Sequence, residues 1–146
     1  MSNRIRVNQA DPAAFKAMMG LENYLATSGI SKKHKELIKI RASQINGCAY
    51  CLNMHTIDAR KLGETEQRIY TLSAWRDTPF FDEQEQAILA LTEEMTLISN
   101  HGVSDETYKR AAELFDPAYL SQIIMAVVTI NAWNRIAITT LMVPGE

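Results

Sequence analysis

The sequence is short of several things. It has two cysteines in 146 residues, too few for a secreted domain that relies on several disulfides to stabilise a small core. It has no excess of basic charge, with 15 Lys and Arg against 17 Asp and Glu and a net charge of −2. Nucleic acids and anionic membranes attract clustered positive charge, so neither is an expected partner. No stretch is apolar for the roughly 20 residues that span a bilayer. The opening MSNRIRVNQADPAAF is polar and lacks the apolar centre of a secretory signal, so the expected location is the cytoplasm. Strand-period alternation, linkers, low-complexity tracts and internal repeats are also missing.

What remains is a soluble composition, 47% hydrophobic and 22% charged, in a length that suits a single domain over 1–146 with a real core. Nearly every segment reads as helix. Asp11-Pro12 is a cap followed by proline at the first helical position, and Ser28-Gly29 stops the run that follows. Ser31 opens a second helix, with Lys32, Lys33, Lys35 and Lys39 expected on its wet side. Asn46-Gly47 breaks that helix, because both residues accept left-handed backbone. Cys48 should then fall in the first turn of a third helix that ends at Gly63.

Thr65 should cap a short helix through Trp75, broken by Thr78-Pro79. Asp82 to Glu85 reads as a capping box for a helix closed by Asn100-His101-Gly102. Ser104 and Asp116-Pro117 open two more. The last, from Ala118 to about Leu141, is apolar nearly all round, which marks a core helix or one at a subunit interface. The expected class is all-α, with about six to seven helices.

The chemistry gathers in Glu36 to His55, ELIKIRASQINGCAYCLNMH. Both cysteines lie there as a C-x-x-C pair, Cys48 and Cys51, with His55 four residues after Cys51 and Glu36 twelve before Cys48. On one helix Cys48, Cys51 and His55 share a face at i, i+3 and i+7. A thiol is a poor nucleophile until ionised, and a helix start and a nearby imidazole both favour thiolate. Cys48 has the helix start and Cys51 has His55. Two cysteines at i, i+3 can close a disulfide without large backbone motion. His55 would move protons to and from Cys51, and Glu36 would orient the imidazole and stabilise its cation.

Simpler readings stand beside these. A buried cysteine is often a small hydrophobe, and Glu36 by itself could be a surface carboxylate among lysines. A structural zinc site wants four ligands, usually from two separated pairs. Only His34 and His101 remain as further histidines, without paired spacing, so neither metal nor cofactor is expected. Both read as solvated helix-end residues, and Tyr50 and Met54 as packing.

At these residues the sequence resembles the AhpD-like alkylhydroperoxidases of the carboxymuconolactone decarboxylase superfamily. The likeness is strong from about Leu37 to Leu62 and weaker at Asn131 to Arg135, N-A-W-N-R. It implies an all-helical fold, assembly as a homotrimer or homohexamer, and thiol-dependent reduction of peroxides. It also implies roles: Cys51 peroxidatic, Cys48 resolving, His55 and Glu36 the proton relay, with a dithiol or reductase protein as electron donor. Decarboxylase-type members generally lack the C-x-x-C, so that activity is not implied. Well-studied members carry a further relay histidine where this chain has Tyr50, a phenol, which relays protons poorly at neutral pH. The helix start favours attack by Cys48, whereas the resemblance favours Cys51. A dithiol carrier or redox sensor is the alternative function, and a superfamily lyase or isomerase with His55 as base is a third.

Overall fold

The first four backbone N–H groups of a helix have no partner inside it, so helix starts need side-chain acceptors. Six starts legible in the sequence have one. Asp11 accepts from the N–H of Ala14, Ser31 from His34, Thr65 from Arg68, Ser104 from Thr107 and Asp116 from Tyr119. Asp82 and Glu85 accept from each other's N–H at 2.9 Å, a complete capping box.

The computed structural model describes residues 3–145. The helices are α1 (Val7–Ala10), α2 (Pro12–Thr27), α3 (Lys32–Asn46), α4 (Ala49–Lys61), α5 (Glu66–Thr71), α6 (Glu83–Thr96), α7 (Asp105–Leu114) and α8 (Pro117–Thr139). A 3₁₀ segment, Leu72–Asp77, follows α5. The fold is all-α, without strands among the described residues. The helix count slightly exceeds expectation, because α1 is a single turn that no cap announces. The segment expected as one helix from Thr65 to Trp75 tightens to 3₁₀ at Leu72. Likewise α6 stops at Thr96, and Asn100-His101-Gly102 closes a following turn instead, with His101 at φ 69° and Gly102 at φ 69°.

α3 lies at the centre, packed by α4, α6 and α8. Its Ile38 and Ala42 join one apolar cluster with Ile88, Ile123 and Ile130. Its Leu37 and Ile40 join a second with Leu72, Trp75 and Leu89. Truncating a buried isoleucine such as Ile38 costs about 2–5 kcal/mol, since the lost contacts leave a cavity. Lys39 departs from its expected place on the wet side. It is 3% exposed, because α8 packs along α3 and α2 supplies its partner, Glu22.

A polar network fastens the end of α3 to α8. The Asn46 amide donates to Asn131 at 3.0 Å and to Asn134 at 2.9 Å. Asn134, fully buried, donates to Ser43 Oγ at 3.0 Å, and Ser43 donates to the Lys39 carbonyl. The helix then ends on Gly47 at φ 71°, a left-handed conformation that costs glycine nothing. Ser43 O accepts the Cys48 N–H at 3.0 Å. The turn between α3 and α4 is thereby closed within two residues.

Two other side chains differ from the sequence reading. Met54 is exposed rather than packed, since it lies on the outer face of α4. His34 is half-buried rather than solvated. Its Nδ1 lies 2.7 Å from the Tyr119 hydroxyl, whose oxygen also accepts the Ser31 N–H at 3.0 Å. Its ring meets Phe115 and Tyr119 edge-on. Burial holds the imidazole below its ordinary pKa, although Glu85 and Asp82 pull it upward. A lowered folded value means the fold favours neutral His34. The resulting stability is complete above the unfolded value of about 6.5 and is lost as pH falls through the folded value. Denaturant titrations at several pH values between 7.5 and 5 should show stability falling with acid, and His34→Gln should flatten that slope.

Candidate functional site

The site grows from the α3–α4 turn. Cys48 is the N-cap of α4 rather than a member of its first turn, and its Sγ lies 3.3 Å from the Cys51 N–H, which donates to it. The two cysteines form a disulfide with Cα atoms 5.3 Å apart, within the ordinary range for such a bridge. Both are buried, Cys48 at 2% and Cys51 at 3% exposure. Tyr50 packs against the cluster that contains them, as packing residues do.

His55 lies one turn beyond Cys51 on α4. Its Nδ1 is 2.9 Å from Glu36 Oε2 on α3, and both residues are 7% exposed. A carboxylate at this distance holds the proton on Nδ1 and leaves the other ring nitrogen free to take one. All four residues singled out in the sequence therefore lie on one helical hairpin, with the dithiol at its closed end and the Glu36–His55 pair farther down between the helices. Burial makes the pair electrostatically strong, since little water screens it.

The sequence reading missed the surroundings of this pair. Asp58, three residues after His55 on α4, brings a carboxylate oxygen to the dyad. Donor atoms of Glu36, His55 and Asp58 all lie within 4.8 Å of one another. Asp58 is half-exposed and lies 3.5 Å from Lys61. The i+3 spacing from His55 was the available signal. These three are the residues that could hold a cation, with one imidazole and two carboxylates as donors. Glu22 of α2, Lys39 of α3 and Trp133 of α8 form a second charged group, with Lys39 Nζ 2.9 Å from Glu22 and the Trp133 indole donating to the same carboxylate at 2.9 Å. Nothing in the spacing of Glu22 and Trp133 relates them to the C-x-x-C. Of the other histidines, His101 is exposed, as expected, and His34 lies against α8, bonded to Tyr119.

Known proteins resemble the chain as a whole to different degrees. An uncharacterized protein of Bacillus subtilis (strain 168), YdfG, is 47% identical over 138 residues, covering 94% of each chain. A crystal structure from Agrobacterium tumefaciens superposes with a TM-score of 0.94 at 40% identity over 100% of both chains. That protein is of unknown function, with a suggested identity as the antioxidant defence protein AhpD. An uncharacterized peroxidase-related protein from Silicibacter sp. TM1040 matches with a TM-score of 0.81 at 26% identity, over 93% of this chain and 72% of its own. The model of the carboxymuconolactone decarboxylase family matches residues 12–94, a span that holds the whole C-x-x-C hairpin. With that hairpin, that fold and those relatives, the chain belongs to the carboxymuconolactone decarboxylase family, among its AhpD-like members.

Proposed function

We propose that the protein is a thiol-dependent peroxidase of the alkylhydroperoxidase kind. The observation that carries the reading is the buried 2.9 Å bond between Glu36 and His55, one turn along α4 from Cys51. In the reduced protein the Cys51 S–H proton passes to the free ring nitrogen of His55, and Glu36 stabilises the imidazolium. The thiolate attacks one peroxide oxygen. An S–O bond forms, the O–O bond breaks, and the departing oxygen takes the proton back from His55. Cys51 is now a sulfenic acid and the peroxide has become an alcohol or water. The Cys48 thiol then displaces water from that sulfur to close the disulfide. An external dithiol or reductase protein returns two electrons and two protons. The cycle uses neither metal nor cofactor.

The relay is tested by mutation. Glu36→Gln should slow oxidation of the reduced protein by peroxide, because an amide cannot stabilise an imidazolium. His55→Ala should slow it at least as much, within the roughly 10²–10⁴-fold that a general base contributes. Stopped-flow kinetics on variants whose circular dichroism stays helical decide the matter. Wild-type rates in both would remove the relay.

The order of the cysteines is tested separately. The Cys51 N–H on Cys48 Sγ favours a thiolate at Cys48, while His55 favours Cys51. We assign attack to Cys51. Cys48→Ser should then accumulate a sulfenic acid at Cys51 that dimedone traps after a brief peroxide pulse, whereas Cys51→Ser should label slowly. The reverse labelling would exchange the two roles. Slow, equal labelling in both variants would instead indicate a dithiol carrier.

Assembly as a homotrimer or homohexamer is part of the same proposal. It is supported by apolar side chains that α8 leaves uncovered, Val128 at 43% and Ile138 at 42% exposure. Light scattering at micromolar concentration should give a trimer or hexamer mass, and a monodisperse 16.5 kDa species would overturn it. A cytoplasmic location belongs with this reading too. No described helix is long and apolar enough to cross a membrane.

A further inference from the structure

Glu36 has a second suitor besides His55. Lys39 lies three residues farther along α3, and both residues are buried. Side chains three apart on a helix are neighbours, about 5–6 Å between β-carbons, and a Glu and a Lys so placed pair readily. Away from water that attraction is little screened. Among the described residues Glu36 accepts a hydrogen bond at one oxygen only, from His55. Its other oxygen makes no hydrogen bond that would have to break before an ammonium took it.

The ammonium is held elsewhere. Lys39 Nζ donates to both oxygens of Glu22 on α2, at 2.9 and 3.0 Å. The indole N–H of Trp133 on α8 donates to one of them at 2.9 Å. Burial pushes the Glu22 carboxyl upward, but the charge and hydrogen bonds of Lys39, with the Trp133 donor, outweigh it and hold its pKa below the ordinary value. Glu22 is therefore an anion at neutral pH, gripped from two helices. The edge of the Phe15 ring against Trp133, 5.8 Å between centroids, braces the indole from α2.

We propose that Glu22 is a positioning residue for the Glu36–His55 pair: by capturing Lys39 it leaves Glu36 to the imidazole. Without the Glu22 charge, a buried ammonium has one carboxylate left within a helical turn. Lys39 then turns to Glu36, and the His55 Nδ1 proton loses its acceptor. Trp133 acts on the same device from α8, by fixing the carboxylate that receives Lys39. The role in catalysis rests on the peroxidase reading, but the captured lysine is a property of the pair itself and is read without peroxide.

The test compares three proteins in the reduced state: wild type, Glu22→Gln, and the double variant Glu22→Gln with Lys39→Met. With ¹⁵N-labelled histidine, wild type should show a low-field proton resonance from the His55 N–H bonded to Glu36. Glu22→Gln should lose or shift it. The double variant should regain it, because no ammonium remains to compete and neutral side chains can replace a buried ion pair. Oxidation by hydrogen peroxide should follow the same order: about tenfold or more slower in Glu22→Gln, and within about threefold of wild type in the double variant. A double variant as impaired as the single one in both readouts would mean that Glu22 serves only to dock α2, and would overturn the proposal. So would a Glu22→Gln protein with the wild-type resonance. If Glu22→Gln fails to fold, Trp133→Phe loosens the same carboxylate without changing charge. It should weaken the resonance, and added Lys39→Met should restore it; an unchanged resonance in Trp133→Phe overturns the proposal. A wild type inert to peroxide would remove the peroxidase reading, and the resonance would still decide the role of Glu22.

Discussion

A helix enclosed by other helices has no wet side on which to put its polar residues. From Glu36 to Ser43 α3 comes close to that position, with Arg41 alone not buried, and each polar group on its inner stripe has to find a protein partner or carry the cost of desolvation. Glu36, Lys39, Ser43 and Asn46 follow one another at spacings of three, four and three, and so share a face. Glu36 meets His55 on α4, Lys39 meets Glu22 on α2, and Ser43 and Asn46 share Asn134 on α8, with Asn131 a further partner of Asn46. The stripe thus ties three other helices to α3 by directional bonds, where apolar packing alone would allow them to slide.

The same stripe leads to the sulfurs. It begins at the acid of the Glu36–His55 pair and ends at Asn46, next to the glycine that turns the chain into Cys48. Ser43 belongs to both ends of that arrangement, since its hydroxyl takes the Asn134 amide and its carbonyl takes the Cys48 N–H. The hairpin therefore carries the dithiol on rigid elements whose backbone is fixed from two sides. Reactive groups need that kind of support more than they need any single residue, because small displacements of a thiol or an imidazole are expensive in rate.

Two influences act on the pair of thiols and favour different members. The first turn of α4 directs a backbone N–H at Cys48, a fixed dipole effect that any residue at an N-cap receives. In the proposed mechanism the imidazole acts on Cys51 through a proton, and its strength depends on Glu36 being available to it. The first influence belongs to the backbone and the second to a buried ion pair. On the proposal made above, residues as distant in sequence as Glu22 and Trp133 bear on the second through the lysine they hold.

Much of this was written in local signals. Asp11-Pro12, Ser31, Asp82 with Glu85, Ser104 and Asp116-Pro117 each satisfy N–H groups within three residues of themselves, so the chain reveals them without knowledge of the fold. Cys48, Cys51 and His55 are close because one helix carries them, and their spacing is a local fact too. Glu36 belongs with them through the short turn at Gly47, which makes its meeting with His55 nearly local. Long-range packing decided the rest. Lys39 reads as a solvated lysine until α8 packs along α3 and α2 supplies Glu22, and His34 reads as a wet helix end until Tyr119 of α8 arrives against it. Met54 is apolar yet faces out. Composition and periodicity report what a residue prefers, whereas burial is a property of the elements that happen to pack against it. Most helix starts and the C-x-x-C hairpin were therefore determined by the sequence alone. Which charges the core encloses, and which carboxylate serves which base, was decided only when distant helices closed on α3.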